Sequence, residues 1–441
     1  MKDKIIDKLL YAASWMQQQR HLAAIKYAFA DLMPIIIAGS FCTLFQNVIC
    51  STTEGFVSLA NIPGMDWLGN LSPIFSAANY GTMNFLAIGA VILISMYVAE
   101  SYGIKDKILP LTAIASFISL CTTSMNVTIG EETKAVSNVL SNTYTSAQGL
   151  FVAMMVALVC AEIYCRIVKS GKMEIKMPEQ VPSNVAKAFA VLFPSAVTIL
   201  IISCCGFIFK TVVGLTLFEA ISTFIQAPLS KVLTGLPGYL LILLVILFLW
   251  VFGIHGTQVM KPITEPILLA TFAANEAAWA SGQPLPEIIV RPFLSLFGTM
   301  TGAGITGGLI IAILLFSKRE DYRSVAKLGI PCAIFNINEP IIFGLPIVLN
   351  PILAIPFIIT PLVTTTLAYF LTAAGFCGRL VVNIPWTTPL GLAGFLSSGG
   401  NIGAAITQVL CLFVSFCIYT PFVLIANKQA NHIKTEDETN G

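Results

Sequence analysis

The chain has 441 residues, 56% of them hydrophobic and only 10% charged, with a mean hydropathy of +0.85 and a formal net charge of +2. Soluble domains carry about 25% charged residues, so this composition excludes a soluble globular protein and defines an integral membrane protein. The small net charge gives no bulk electrostatic basis for nucleic-acid binding.

No secretory signal peptide is legible. Ahead of the first long apolar run, Ile5, Ile6, Leu9, Leu10 and Ala13 share a helical stripe interleaved with Lys4, Asp7 and Lys8. That pattern predicts an amphipathic helix in the membrane interface. A span takes about 20 mainly apolar residues. Segments of that kind lie near 30–50, 82–100, 107–124, 147–167, 187–208, 233–253, 293–316, 327–348, 351–375 and 402–426. The eleven cysteines include no Cys-x-x-Cys pair, and most sit inside these runs. They read as small hydrophobes rather than a metal or disulfide set, and no cofactor or metal is expected.

Lys and Arg placement sets orientation. Lys2, Lys4, Lys8, Arg20 and Lys26 precede or open the first span, and Ser51 to Tyr80 has neither residue type. Lys105 and Lys107, the cluster Arg166 to Lys187, the loop Ser317 to Lys327, and Lys428 and Lys434 are basic in turn. All of these are predicted cytoplasmic, both termini included. Ten simple crossings would put Ser317 outside. The conflict disappears if residues 259–289 contribute a crossing and 327–348 is re-entrant.

Three further segments are irregular. Residues 211–229 are amphipathic and read as broken by Pro228, which suits a connector along the membrane surface. Residues 259–289 hold Pro262, Pro266, Pro284 and Pro286, and 379–401 are rich in Pro, Gly, Thr and Ser. Irregular backbone at membrane depth is tolerated only where protein or a water-filled cavity satisfies it, and broken helices point to a transporter's binding site. The expected fold is an all-α integral membrane protein of about ten transmembrane helices, with re-entrant hairpins and interfacial amphipathic helices. The first half reads as plain helices and the second as broken ones. The echo between "TEPILL" (Thr264 to Leu269) and "NEPIIF" (Asn338 to Phe343) is read as shared composition rather than a repeat.

Gly302 to Gly307 spells G-x-G-x-x-G, and Gly298/Gly302 and Gly304/Gly308 spell G-x-x-x-G. In an apolar run of spanning length, close helix packing is the preferred reading over dinucleotide binding. Of the three histidines, His21 and His432 lie in polar, basic stretches, whereas His255 ends an apolar span between Gly253 and Gly256. Two readings of His255 stay open: a functional group at a membrane-depth kink, and an interfacial histidine bonded to a free carbonyl.

The sequence "NINEPIIFGLPIVLNP" (Asn336 to Pro351) places Glu339 between asparagines and Pro340. Proline removes a backbone N–H, asparagines supply donors and acceptors, and a carboxylate can accept from two vicinal hydroxyls. The cluster suits a sugar. Its alternative, a helix break whose polar groups satisfy one another, is disfavoured because an intramembrane carboxylate is costly. Sugars also have apolar ring faces. Trp250, five residues before His255, and Trp386, in "NIPWTTP", are candidate platforms, while Trp67 suits an interface anchor.

"FGIHG" (Phe252 to Gly256), "VAKLGIPCAIFNINEPIIFGLPIVLNP" (Val325 to Pro351) and "NIPWTTPLGLAGFLSSGG" (Asn383 to Gly400) resemble enzyme IIC, the membrane subunit of the lactose/cellobiose/diacetylchitobiose family of the bacterial phosphoenolpyruvate-dependent sugar phosphotransferase system. Weaker similarity covers nearly the whole chain. The resemblance implies a homodimer in the bacterial inner membrane. Residues 1–210 would form the dimerisation scaffold, 211–232 a connector, and 233–441 a mobile sugar-binding domain with re-entrant hairpins. The sugar would be phosphorylated at its 6-hydroxyl by a phosphocysteine on a separate B subunit, itself supplied by an A subunit. The chain fits an isolated C subunit, not a stand-alone enzyme. Family binding residues map onto Glu339, Asn338, His255, Trp250 and Trp386. Glu339 and His255 are the pair expected to act at the reacting hydroxyl. The match is weaker around Ser146 to Gly149. Two other readings compete. A proton-coupled sugar symporter would use Glu339 and His255 as proton carriers and need no partner protein. A membrane acyl- or glycosyltransferase would need clustered acidic residues or histidines that the sequence lacks.

Overall fold

A computed structural model of the chain describes residues 19–52, 58–129, 132–175, 177–178, 180–345, 347 and 350–440. The amphipathic stretch around Ile5 to Ala13 lies outside the described residues. Helix α1 (Arg20–Leu44) ends in a π-helical turn, Phe45–Ile49. After the 3-10 stretch Asp66–Leu71 come α2 (Ser72–Met83), α3 (Leu86–Ser101), α4 (Leu109–Ser119), α5 (Leu150–Ser170) and α6 (Leu192–Val213). Between α4 and α5, β1 (Ser124–Ile129) pairs antiparallel with β2 (Glu132–Ser137). The all-α expectation therefore needs this one hairpin added. Val127, Ile129 and Val136 favour extended backbone there.

The amphipathic connector is helix α7 (Leu217–Thr234), bent by 81° from α8 (Leu236–Val251). Pro228 does not break it. A π-helical turn, Ser222–Gln226, lies directly upstream, and Ala227 N–H reaches back to the carbonyl of Ser222. Then follow α9 (Gly256–Ala280), α10 (Thr306–Phe316), α11 (Glu320–Ile334), α12 (Glu339–Gly344), α13 (Pro351–Ala373) and α14 (Ile402–Asn440). Among the described residues, seven helical stretches are long and apolar enough to cross a membrane, or eight if the bent α7–α8 pair counts as one span. That falls short of about ten. Helix α4 has only 11 residues, and the 25-residue α9 carries Lys261, Glu265 and Glu276.

Two expectations about irregular segments change. Residues 259–289 were predicted to be interrupted, yet α9 runs through Pro262 and Pro266. Its return arm then packs back along it. The Asn275 side chain donates to Glu287 O and accepts from Glu287 N–H, each at 2.9 Å, and Arg291 N–H donates to Leu268 O at 3.1 Å. Conversely, the predicted span 293–316 remains a candidate span as Leu294–Phe316, but its backbone leaves the helix at 299–305. Thr301, Gly302, Gly304 and Ile305 all have positive φ (57°, 97°, 75° and 53°). Gly302 and Gly304 therefore serve a loop, not a helix face. Gly298, whose added Cβ would lie 3.3 Å from Thr365 Oγ1 on α13, fits the packing reading, and Gly308 fits it most closely. A Cβ there would lie 2.2 Å from Ser415 Oγ and 2.5 Å from Phe416 N on α14, so the α10–α14 contact admits no side chain.

Small residues likewise set the first bundle. Helix α3 packs on α5, and the buried residues of the pair include Ala87, Ala90, Ala153, Ala157 and Ala161, which let backbones approach closely. One buried cluster joins α1, α3, α4 and α5 to Leu268, Phe272, Phe293 and Phe297. A second joins α8, α10, α11, α13 and α14. The α9 hairpin thus lies against α1 and α5.

Gly308→Val should be poorly tolerated. Overpacking typically costs about 1–3 kcal/mol, and here the obstacle includes backbone. The expected result is a lowered thermal midpoint and less monodisperse protein in detergent; wild-type melting would refute the close α10–α14 contact.

Candidate functional site

A cavity of about 260 Å³ opens between the end of α8, one face of α9, the 299–303 break and the Asn336 to Glu339 turn. At its first wall, α8 ends at Val251 and Gly253 turns the chain with φ 76°. His255 then caps α9, its Nδ1 accepting from Gln258 N–H at 3.4 Å. A neutral imidazole whose Nδ1 accepts carries its proton on Nε2 and can donate from there. The His255 and Trp250 rings lie 4.3 Å apart, tilted by 46°. Trp250 is buried, and its Nε1–H has no partner. A buried unmet donor is costly, and an accepting oxygen in the cavity would relieve it.

The second wall is a helical stripe. Thr257, Gln258, Lys261, Thr264, Glu265 and Leu268 line the cavity from α9, at the spacing of one helix face. Glu265 is ion-paired to Arg291, Nε to Oε1 at 3.1 Å, with both side chains largely buried. Arg291 also donates to Asn383 Oδ1 at 2.7 Å and reaches Met33 Sδ of α1 at 3.1 Å. One guanidinium therefore fixes the return arm to α9, to the loop before Trp386, and to the first half of the chain.

The third wall is held by two asparagines. Asn336, at φ 64°, accepts from Thr301 N–H at 2.6 Å and donates to the carbonyls of Trp386 and Thr388 at 2.6 and 3.0 Å. Asn338 donates to Ala303 O at 2.6 Å and Thr306 Oγ1 at 2.9 Å, which commits both amide hydrogens and leaves only its carbonyl oxygen for a ligand. A Cβ on Gly302 would fall 2.1 Å from the Asn338 side chain. Glu339 opens α12 with Pro340 behind it, and its exposed carboxylate lines the cavity with no hydrogen bond or ion pair to a described residue. The Trp386 ring also lines it.

All five residues singled out from sequence, Glu339, Asn338, His255, Trp250 and Trp386, border this one cavity. Ser146 to Gly149 do not. Sequence reading missed Thr257, Gln258, Lys261, Thr264, Glu265, Arg291 and Thr299. The α9 stripe was hidden because Pro262 and Pro266 were read as breaks. Arg291, a charge inside the apolar run "EIIVRPFLSLFG", carried the signal that marks intramembrane charges as functional.

The architecture is that of a multi-pass membrane protein with a polar cavity between broken segments, as transporters have. The family described as "Phosphotransferase system, EIIC" matches residues 27–361. The chain is 32% identical to the lichenan permease IIC component of Bacillus subtilis over 96% of this chain and 93% of the relative. It is 31% identical to the cellobiose-specific EIIC component of Geobacillus stearothermophilus over 98% and 96%. Its fold is similar to that of ChbC, the IIC component of the N,N'-diacetylchitobiose-specific phosphotransferase system, with a TM-score of 0.88 and 31% identity over 97% of this chain and 98% of that one. The chain belongs to the EIIC family of phosphotransferase-system membrane components.

Asn336→Ala removes three hydrogen bonds and places a Cβ-bearing residue without a polar side chain at positive φ. About 1 kcal/mol per bond and 1–2 for the backbone predicts a loss of roughly 4–5 kcal/mol. The check is thermal unfolding together with ligand binding; an unchanged melt would mean that something else holds these loops.

Proposed function

We propose that this chain is the sugar-specific permease of a phosphotransferase system, taking up a disaccharide of the cellobiose, diacetylchitobiose or lactose type. The observation that carries the reading is the convergence of Glu339, His255, Trp250 and Trp386 on one cavity in a chain of the EIIC family. Two aromatic rings suit the apolar faces of sugar rings, while a free carboxylate and an imidazole suit a hydroxyl between them. The names of the similar proteins support the substrate class.

The sugar's 6-hydroxyl oxygen attacks the phosphorus of a phosphocysteine on a separate B subunit, which an A subunit recharges. The S–P bond breaks as the O–P bond forms, the cysteine leaves as thiolate, and the hydroxyl proton passes to Glu339. His255 holds the same oxygen. Orientation contributes more than basicity, because a loose phosphoryl-transfer transition state asks little of a base. Residues 1–210 serve as a dimeric scaffold in the bacterial inner membrane, and 233–441 move against it as an elevator linked through 211–232. The break at 299–305 supports assigning the moving part to the second half.

Charged hydrogen bonds are worth about 1.5–3 kcal/mol, roughly ten- to over a hundredfold in affinity. Glu339→Gln should weaken sugar binding by that factor and slow phosphorylation at saturating sugar. His255→Ala should weaken binding as well, and the double variant should lose less than the sum if both hold one hydroxyl. Purified variants are assayed with and without phosphorylated B subunit. Accumulation of unmodified sugar without B would favour a symporter, and wild-type behaviour of Glu339→Gln would make the motif structural.

Both termini and the Lys318 to Arg323 loop are assigned to the cytoplasm, because the basic residues gather there. Met65→Cys should react with an impermeant maleimide on intact cells, and Ser324→Cys only after permeabilisation. The reverse pattern would invert the topology.

A further inference from the structure

A second cavity, about 290 Å³, lies at the far end of α9. Its walls are the π-helical turn that ends α1, the start of α2 and the tip of the α9 hairpin. Gln46 and Asn47 stand on the first, Ser72 on the second and Ser281 on the third. Among its described lining residues there is no charge; the side chains offered are carboxamides and hydroxyls.

Two features point to a ligand. Asn47 is buried, yet its Nδ2 has no hydrogen-bond partner among the described residues, which is costly unless something in the cavity accepts. It also sits in a π-turn, a distortion frequent at functional sites. Each carboxamide offers two donors and two acceptor lone pairs, so the Gln46–Asn47 pair can match several hydroxyls at once. With no charge among the described lining residues, the site suits a neutral polyhydroxylated molecule rather than a phosphate or an ammonium. From Leu268 and Lys261 at the first cavity to Ser281 at the second, α9 rises roughly 20–30 Å at about 1.5 Å per residue. The two cavities therefore lie at opposite ends of one helix.

We propose that this second cavity is an outer sugar subsite, which holds a neutral sugar ring before it reaches the Glu339 cavity. The proposal rests on the permease reading and on placing Ser51 to Tyr80, which has no Lys or Arg, on the outer side.

The test uses the full-length protein in proteoliposomes. Cellobiose, lactose and diacetylchitobiose are first screened for tryptophan-fluorescence changes lost in Glu339→Gln, and the responding sugar is the probe. Ser281→Cys is then alkylated by impermeant maleimide and read by site-resolved mass spectrometry. The probe sugar should slow alkylation, and should do so equally in the Glu339→Gln background. Adding Gln46→Ala and Asn47→Ala should raise the half-protecting sugar concentration about tenfold, the effect of losing two ordinary hydrogen bonds. The fluorescence response should remain, which shows that the doubly substituted protein is folded. Unslowed alkylation in a protein that binds the probe at the Glu339 cavity would overturn the subsite and leave the permease reading standing. So would protection that disappears with Glu339→Gln. If none of the three sugars binds at the Glu339 cavity, the permease reading falls and the subsite with it.

Discussion

Within a bilayer, an interrupted helix exposes peptide groups that no water can satisfy. This chain interrupts its backbone at 299–305, at 335–338 and at 385–388, and brings those breaks to one place. Asn336 joins all three, accepting from the first and donating twice to the third. Asn338 adds a second tie to the first break, through Ala303 and Thr306. The close approach is possible because residue 302 has no side chain. The cavity is therefore a by-product of satisfied backbone. Glu339 can remain unpaired because its neighbours, rather than its own carboxylate, hold the turn.

Charge is handled with the same economy. A buried ion pair that loses one partner costs about 3–5 kcal/mol, so Glu265 and Arg291 act as a unit. Arg291 extends that unit to Asn383 and to Met33 of α1. The pair is an anchor for the α9 hairpin as much as a wall of the cavity. Near it, Lys261 and Glu339 remain as cavity-lining charges of opposite sign.

The membrane class, most of the long helices and five cavity residues were legible in the sequence, because apolar length and misplaced polarity are local signals. Glu339 and His255 stood out for the cost of their position, and the two tryptophans for their neighbours. The α9 face was not legible, since proline's local penalty was weighed above the 3.6-residue spacing of Thr257, Lys261, Glu265 and Leu268. In the structure α9 stays helical through both prolines, with the return arm packed along its later turns. The 299–305 break was missed for the opposite reason. Its apolar composition looked continuous, and the left-handed residues Thr301 and Ile305 depend on partners 35 or more positions away. The β1–β2 hairpin was overlooked because only spanning segments were sought.

Trp386 is fixed by its carbonyl, not by its ring. Asn336 grips the main chain at 386 and 388, while the indole stands more than half exposed at the cavity mouth. Loop shape and side-chain identity are thereby uncoupled at this position. Exchanging the indole for another side chain would change the surface at the mouth and keep the frame that presents it. Under the permease reading proposed above, substitutions at residue 386 would tune what the mouth accepts, while Asn336, whose amide is spent on Thr301, Trp386 and Thr388, would be held to its architectural role.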